Sequence, residues 1–474
     1  MDTVYAPYRR REGRGLRVMF INPMDVRSMV ETGFPHLGVG SLSAAIKRAF
    51  PGAETIVVKG HLQEWIHSWQ PDVVGITSVS QYWDEARFHA QRAKQGGLPV
   101  MVGGVHATWL PETMTDDMDV MVLQEGERTV VELLELLEKH GEFRPKDLRR
   151  VDGVAFRDHG QLVRTQPRGM VPDLDYLPHI DRSILPHSGH TGMFTSRGCP
   201  YHCTFCASTR YWPKMRFHSA GYVAEEIEWL YRDGVRQVTF LDDLFVADKR
   251  RLAELADLLG RRDLLGKLSY TCNVRSNLVT DDLCRILKDL GVKTVGIGME
   301  SANAESLAYL KGQGNITVDD HARALQRLSD HGIVAHPSFI IGSPKETREQ
   351  ILDSLRFIRE HRVSDFEVYV LMPFPGTPVW DYAVSRGLVG PDMKWERLRY
   401  TVTDFGPQSI VLSEVLGYQE LAELYKMFTD IRVRARQWSM VRQGLRHPLR
   451  AAGYVARVVA GGSTPEAYPP RRSA

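Results

Sequence analysis

The chain has 474 residues, 43% hydrophobic and 25% charged, with a formal net charge of +2. That length exceeds one ordinary core and points to two or three domains. The composition excludes a disordered chain, and the near-neutral charge argues against a global nucleic-acid-binding surface. Cys199, Cys203, Cys206, Cys272 and Cys284 are odd in number and clustered. Such a set is a poor disulfide framework and favours a reducing compartment with metal chemistry. Met1 to Gly15 has arginines but no apolar run of signal-peptide length behind them. No segment reaches the roughly 18 apolar residues of a membrane span, so a cytoplasmic location is expected.

The first third alternates short apolar runs with helical patterns. Strands are expected at Val18–Asn22, Thr55–Val58, Val73–Ser78, Val100–Gly103 and Val120–Gln124, with helices at Leu37–Phe50, Leu62–Trp69, Trp83–Ala93 and Thr129–Lys139. Near-continuous apolar strands alternating with helices imply an α/β, doubly wound (flavodoxin-like) parallel sheet over residues 1–150. Ligands of such sheets sit beyond the carboxyl ends of the strands. That directs interest to Pro23–Arg27, Ser78–Tyr82, Gly103–Thr108 and Glu125–Glu127. Gly103 and Gly104 allow close backbone approach, and Ser78 and Ser80 offer hydroxyls; both suit a nucleotide tail, although two glycines also suit a tight turn.

Residues 151–187 lack a helical period and read as a linker with a β-hairpin around Asp158-His159-Gly160. A second strand–helix series follows. Its strands are expected at Met193–Ser196, Gln237–Leu241, Leu268–Cys272, Thr294–Met299, Val334–Ile341 and Asp365–Leu371. Six repeats fit a partial, open (β/α)6 barrel, assigned to residues 188–395, with chemistry at the carboxyl ends of its strands. Residues 396–474 are expected to form a basic, helical C-terminal region.

Cys199-Pro-Tyr-His-Cys203-Thr-Phe-Cys206 has C-x3-C-x2-C spacing after the first strand of this second series. Three thiolates on a four-iron, four-sulfur cluster leave one iron free for a substrate or cofactor, whereas full ligation suits simple electron transfer. A structural zinc site needs a fourth ligand; His202 lies between two of the cysteines and would strain a tetrahedron. Cys272 and Cys284 lack the spacing and read as core residues.

This motif, with Phe205 before its last cysteine, resembles the radical S-adenosylmethionine (SAM) superfamily. Thr239-Phe240-Leu241-Asp242-Asp243, Gly298-Met299-Glu300-Ser301, Lys311-Gly312, Phe339–Thr347 and Pro373-Phe-Pro-Gly-Thr-Pro378 resemble further segments of that family, in order. The resemblance implies that SAM chelates the open iron and is cleaved by an electron from the cluster to methionine and a 5′-deoxyadenosyl radical. It implies Asp242, Asp243, Arg275, Glu300 and Ser301 as SAM contacts. Read singly, these residues also suit helix caps or ion pairs.

The N-terminal pattern, with Pro35–Gly40, Val102–Thr108 and Glu125-Gly126-Glu127, is similar to the cobalamin-binding domain of one large radical SAM subgroup. That subgroup includes methyltransferases and an anaerobic porphyrin-ring cyclase. The resemblance implies cobalamin contacts from Ser78, Ser80, Gly103, Gly104 and His106. The subgroup's Asp-x-His-x-x-Gly signature is replaced by Asp25-Val26-Arg27-Ser28-Met29-Val30, and an arginine cannot donate a lone pair to cobalt.

Arginines from Arg432 to Arg472, interspersed with apolar residues, suit either a helix packed on the barrel or a peripheral membrane contact. The expectation is a cobalamin-dependent radical SAM methyltransferase acting on unactivated carbon of a small molecule, lipid or tetrapyrrole. A flavodoxin or ferredoxin would serve as electron donor. The alternatives are a radical SAM cyclase, oxidoreductase or rearrangement enzyme without methyl transfer, and an iron–sulfur electron-transfer or sensing protein.

Overall fold

The computed structural model describes residues 14–23, 36–186, 189–312, 316–398 and 405–446. The loop carrying Arg27 and the last 28 residues of the basic tail lie outside them. Two parallel sheets dominate, in the expected order.

The first sheet contains β1 (Arg17–Ile21), β2 (Glu54–Val58), β3 (Val73–Thr77), β4 (Val100–Gly103), β5 (Val120–Val122), β6 (Val154–Asp158) and β7 (Gln161–Arg164). Its order is β2-β1-β3-β4-β5-β6-β7. The first five strands are parallel, and their doubly wound order matches the patterning expected from their apolar runs. The expected hairpin around Asp158-His159-Gly160 forms as β6 and β7. It pairs antiparallel with β5 and extends the N-terminal sheet. The turn was legible, but not that the open edge of β5 would recruit the hairpin. The actual connection between the sheets is the following stretch, whose Val171, Leu174 and Leu177 form a small cluster of their own.

The second sheet contains β8 (His190–Met193), β11 (Gln237–Phe240), β12 (Ser269–Val274), β13 (Val292–Glu300), β14 (Val334–Ile341) and β15 (Glu367–Val370). These six strands run in sequence order and all pair in parallel, forming an open half-barrel. Val238, Phe240, Tyr270, Cys272, Val295, Ile297, Phe339 and Val368 pack beneath the helices in one core. The intervening positions carry Thr239, Thr271, Asn273, Gly296 and Ser338, so one face is apolar and the other polar.

The chain after β15 closes the two halves together. Trp380, Trp395, Leu398, Ile410 and Leu412 join the core of the N-terminal sheet. The helix Tyr418–Arg446 instead packs Leu421, Leu424 and Phe428 into the barrel core. Among the described residues, no helix is long and apolar enough to cross a membrane.

Candidate functional site

The first barrel strand ends three residues before its expected limit. β8 stops at Met193, and β9 (Ser196–Arg197) pairs antiparallel with β10 (Arg216–Phe217) in a separate two-stranded ribbon. The loop inside this ribbon carries Cys199, Cys203 and Cys206, all free and partly exposed. Gly198, at φ +95°, opens the loop, and a Cβ there would stand 3.1 Å from Trp212 Cβ. The middle of the loop is tied down on both sides. Thr204 N donates to Leu310 O at 2.9 Å, and Val379 N donates to Thr204 O at 3.1 Å.

Several motifs around this loop brace it. Asp242 is buried and accepts bonds from Thr195 N, Thr195 Oγ1 and Ser196 Oγ, the residues entering the ribbon. Burial lifts its pKa to about 6 despite those bonds and the nearby Arg251. Gly312 brings its backbone so close to the loop that a Cβ would lie 2.2 Å from His202 O. Lys311 pairs with Glu300 at 2.9 Å, both buried, and also donates to Gly298 O at 2.7 Å. Glu300 sits at a register shift of β13 with φ 64°. A left-handed non-glycine residue there is a local strain that the surrounding contacts must hold. Ser301 Oγ accepts from Asn303 N, in the turn before the helix Ala304–Lys311. Gly376, in the Pro-Phe-Pro-Gly-Thr-Pro segment, lies against Trp109 of the N-terminal domain, 2.3 Å from its indole if given a Cβ. Asp243 accepts from Ser208 Oγ at 2.7 Å, and burial raises its pKa.

Arg275 is different. It follows β12, is only 5% exposed, and lies over the Tyr201 ring with its Cζ 4.1 Å from the centroid. Its Nη1 donates to Cys203 Sγ at 3.7 Å, while its Nε and Nη2 are buried with no partner among the described residues. A buried cation with unspent donors needs an anion. Placed against a thiol of the cysteine loop, it fits both an anionic iron–sulfur cluster and the carboxylate of a bound amino acid. Burial raises the pKa of Cys199, and pushes that of Cys206 up to about 12, so ligation of a metal would release protons. Among the described residues, no three His, Cys, Asp or Glu side chains are arranged around one metal ion. Thiolates on a cluster each stand on a different iron and need not share a centre.

Between the two sheets lies a cavity of about 380 Å³. Its walls come from the carboxyl ends of the N-terminal strands (Thr77, Ser78, Gly103, Gly104 and Gln124 to Glu127), from the helix start His36 to Leu42, and from Ser196, Arg197, Tyr211, His218, Tyr222 and Asp243 of the barrel half. The expected strand-end segments after β3, β4 and β5 thus converge on one space. Several of their residues are nevertheless spent on the fold. His106 is wholly buried, stacked 4.0 Å from Trp83 and edge-on to Trp395, with Nδ1 on Ser80 Oγ and Nε2 on Thr113 Oγ1, both at 3.0 Å. Burial lowers its pKa to about 3. His106 and Ser80 thus bond to each other inside the fold and lie outside the cavity lining. Gly104 has φ +99°, and a Cβ there would meet Ser78 O at 2.6 Å, so its glycine serves the turn itself. Ser78 donates to Val79 O.

A charged network that sequence reading missed joins the halves along this wall. Arg197 donates to Glu125 at 2.9 Å and to Glu127 at 2.5 Å; Arg216 grips Glu125 at 2.7 and 3.0 Å and donates to Val171 O. Burial opposes ionisation of Glu125, but the two guanidiniums hold its pKa below the usual range. The two arginines face each other in the ribbon, and Arg197 lies two residues before Cys199. The loop after β5 in the N-terminal sheet thereby anchors the strands that carry the cysteine loop.

Comparison with known proteins matches residues 193–358 to the radical SAM superfamily. This region of the chain is a radical SAM domain. Its barrel, cysteine loop and following motifs are those of that family, whose cofactors are a four-iron, four-sulfur cluster and SAM. An uncharacterised methyltransferase of Pyrococcus horikoshii, PH0819, is 29% identical over 80% of this chain and 84% of its own. The anaerobic magnesium-protoporphyrin IX monomethyl ester cyclase of Rubrivivax gelatinosus is 25% identical over 76% of this chain and 69% of its own. The radical SAM methyltransferase TsrM from Kitasatospora setae, solved with cobalamin and a [4Fe-4S] cluster bound, aligns with a TM-score of 0.64 at 18% identity, over 79% of this chain and 76% of its own. That likeness extends the shared fold across both sheets.

Proposed function

We propose that this enzyme is a cobalamin-dependent methyltransferase acting on an unactivated carbon of a small molecule. The observation that carries the reading is the shared cavity: the carboxyl ends of a doubly wound sheet and the cysteine-loop side of a radical SAM barrel form one mostly apolar space. Cys199, Cys203 and Cys206 would hold the cluster. When bound, the cluster, SAM and cobalamin supply one-electron and methyl-transfer chemistry that no side chain can supply. The chain's own contribution is to bind, orient and exclude water. Arg275 offers its unspent donors to SAM's carboxylate beside Cys203. Asp243 lines the cavity and suits a SAM contact. Asp242, Glu300 and Ser301 serve SAM through the backbone that they brace. Gly103 and the backbone of Gln124 to Gly126 line the wall against which cobalamin would lie. The names of several relatives as methyltransferases support the reading.

The cyclase relatives favour one alternative, the same architecture without methyl transfer. Incubation with methyl-labelled SAM separates the two: label in the product supports methyl transfer, and an unlabelled, altered product refutes it. The rest of the reading is a cytoplasmic enzyme with a flavodoxin or ferredoxin as electron donor, approaching where Pro200 and His202 are exposed beside the cysteines. A peripheral membrane contact through the basic C-terminal stretch would suit a lipid substrate.

A further inference from the structure

Most polar side chains on the cavity wall are already partnered. Glu125 and Glu127 are held by Arg197 and Arg216, and Glu226 is held by Arg182 at 2.6 Å. His36 accepts from Val39 N through Nδ1 and bonds Thr77 Oγ1 through Nε2. Trp212 Nε1, a donor, is buried there without a partner among the described residues, and His218 offers an unspent acceptor. Its Nδ1 lies 3.0 Å from Asp175 Oδ1, its ring lines the cavity, and its Nε2 has no hydrogen-bond partner among the described residues.

The surroundings fix what this nitrogen can do. Asp175 also accepts from Ser219 N at 3.1 Å. Burial would raise its pKa, but the bonds from Ser219 and His218 lower it, so it stays a carboxylate. An anionic acceptor on Nδ1 keeps the proton there and leaves Nε2 with a lone pair. Burial lowers the His218 pKa to about 4, outweighing Asp175, so the ring is neutral near pH 7. The ring plane is fixed as well. It stacks on Tyr222 with centroids 3.9 Å apart, and Tyr222 stacks on His179 at 3.8 Å on its other side. His218 is therefore a rigid, neutral, pre-oriented hydrogen-bond acceptor on the wall of a mostly apolar cavity.

We infer that His218 Nε2 is a binding contact that accepts a hydrogen bond from an amide N–H on the rim of cobalamin, with Asp175 as its positioning residue. The inference rests on the cavity being the cobalamin site. It follows from chemistry: a corrin presents carboxamide donors around its edge, and an unspent acceptor in a largely apolar space gains most from such a donor.

The probe is hydroxocobalamin, titrated into the full chain and followed by its visible absorbance, alongside the melting temperature of each ligand-free variant. His218→Leu removes the acceptor and is expected to weaken binding about five- to tenfold. His218→Gln restores an acceptor oxygen and should stay close to the unsubstituted chain. Asp175→Asn, which frees the ring to take the other tautomer, should fall between them. Unchanged affinity in His218→Leu would overturn the inference. Equal weakening in the Leu and Gln variants, with lowered melting temperatures, would also overturn it and make His218 a packing residue. No binding of hydroxocobalamin by the unsubstituted chain would overturn the cobalamin reading itself, and this inference with it.

Discussion

The two parallel sheets of this enzyme end on the same cavity but treat their carboxyl-end residues in opposite ways. Beyond the barrel strands, reactive groups are left over: three cysteines stay free and partly exposed, and Arg275 keeps two buried donors without a partner. Beyond the N-terminal strands, the Ser78 and Ser80 hydroxyls, His106 and Gly104 are consumed by the fold. His106 uses both ring nitrogens, and Gly104 exists for the backbone of Ser78. The contrast teaches that position after a parallel strand marks where a ligand sits, while spent or unspent bonding capacity marks which residue meets it.

The sharpest way to break the comparison is at the cysteines. Cys199→Ala, Cys203→Ala and Cys206→Ala should each abolish SAM cleavage and lose iron, while Cys284→Ala, buried in the barrel core, should retain both; iron analysis and 5′-deoxyadenosine assays check this. Next in size are the spent charges. Glu125→Gln leaves Arg216 and Arg197 under-compensated at a buried interface and should cost about 3–5 kcal/mol of stability, read from denaturant unfolding. Glu300→Gln should likewise lower the melting temperature, because Lys311 is left with an incomplete partner, and should weaken SAM binding only slightly, through the backbone that Glu300 braces. Arg275→Gln is the opposite case. It should weaken SAM binding by about 1.5–3 kcal/mol, roughly ten- to a hundredfold, with little change in melting temperature.

The smallest effect lies at the other end of the barrel. His336 sits between Asp365 at 3.4 Å and Glu367 at 3.7 Å, whose carboxylates raise its pKa to about 9. A folded pKa above the unfolded value of about 6.5 means that the native state holds the proton more tightly. The stabilisation is full below about pH 6.5 and is lost as pH rises through 9. His336→Gln should flatten that part of the stability profile, as pH-dependent melting would record.

Much of this was legible in the residues alone. The spacing of Cys199, Cys203 and Cys206 is local, so it survives without a fold, and the apolar runs of the barrel strands need only period and length. Arg275 was legible as a strand-end residue. The network of Arg197 and Arg216 with Glu125 and Glu127 was not, because its members come from separate domains. The cover over His106 was hidden for the same reason, since Trp395 reaches it from the segment after β15. The hairpin of β6 and β7 was legible from its turn, but its place on the N-terminal sheet was not, because antiparallel strands on an otherwise parallel sheet leave no local sign of their partner. The shift of the first barrel strand from Met193–Ser196 to His190–Met193 reflects Ser196 and Arg197 leaving the sheet for the ribbon.

The central claim is that three cysteines hold a cluster with one iron open to SAM, beside an unspent arginine. Electron paramagnetic resonance of the anaerobically reconstituted, reduced protein tests it, recorded before and after adding SAM. The account predicts a cluster signal that SAM shifts, that Arg275→Gln shifts only at higher SAM concentration, and that disappears in Cys203→Ala. A signal indifferent to SAM in the unsubstituted chain, or one undiminished in Cys203→Ala, would contradict it.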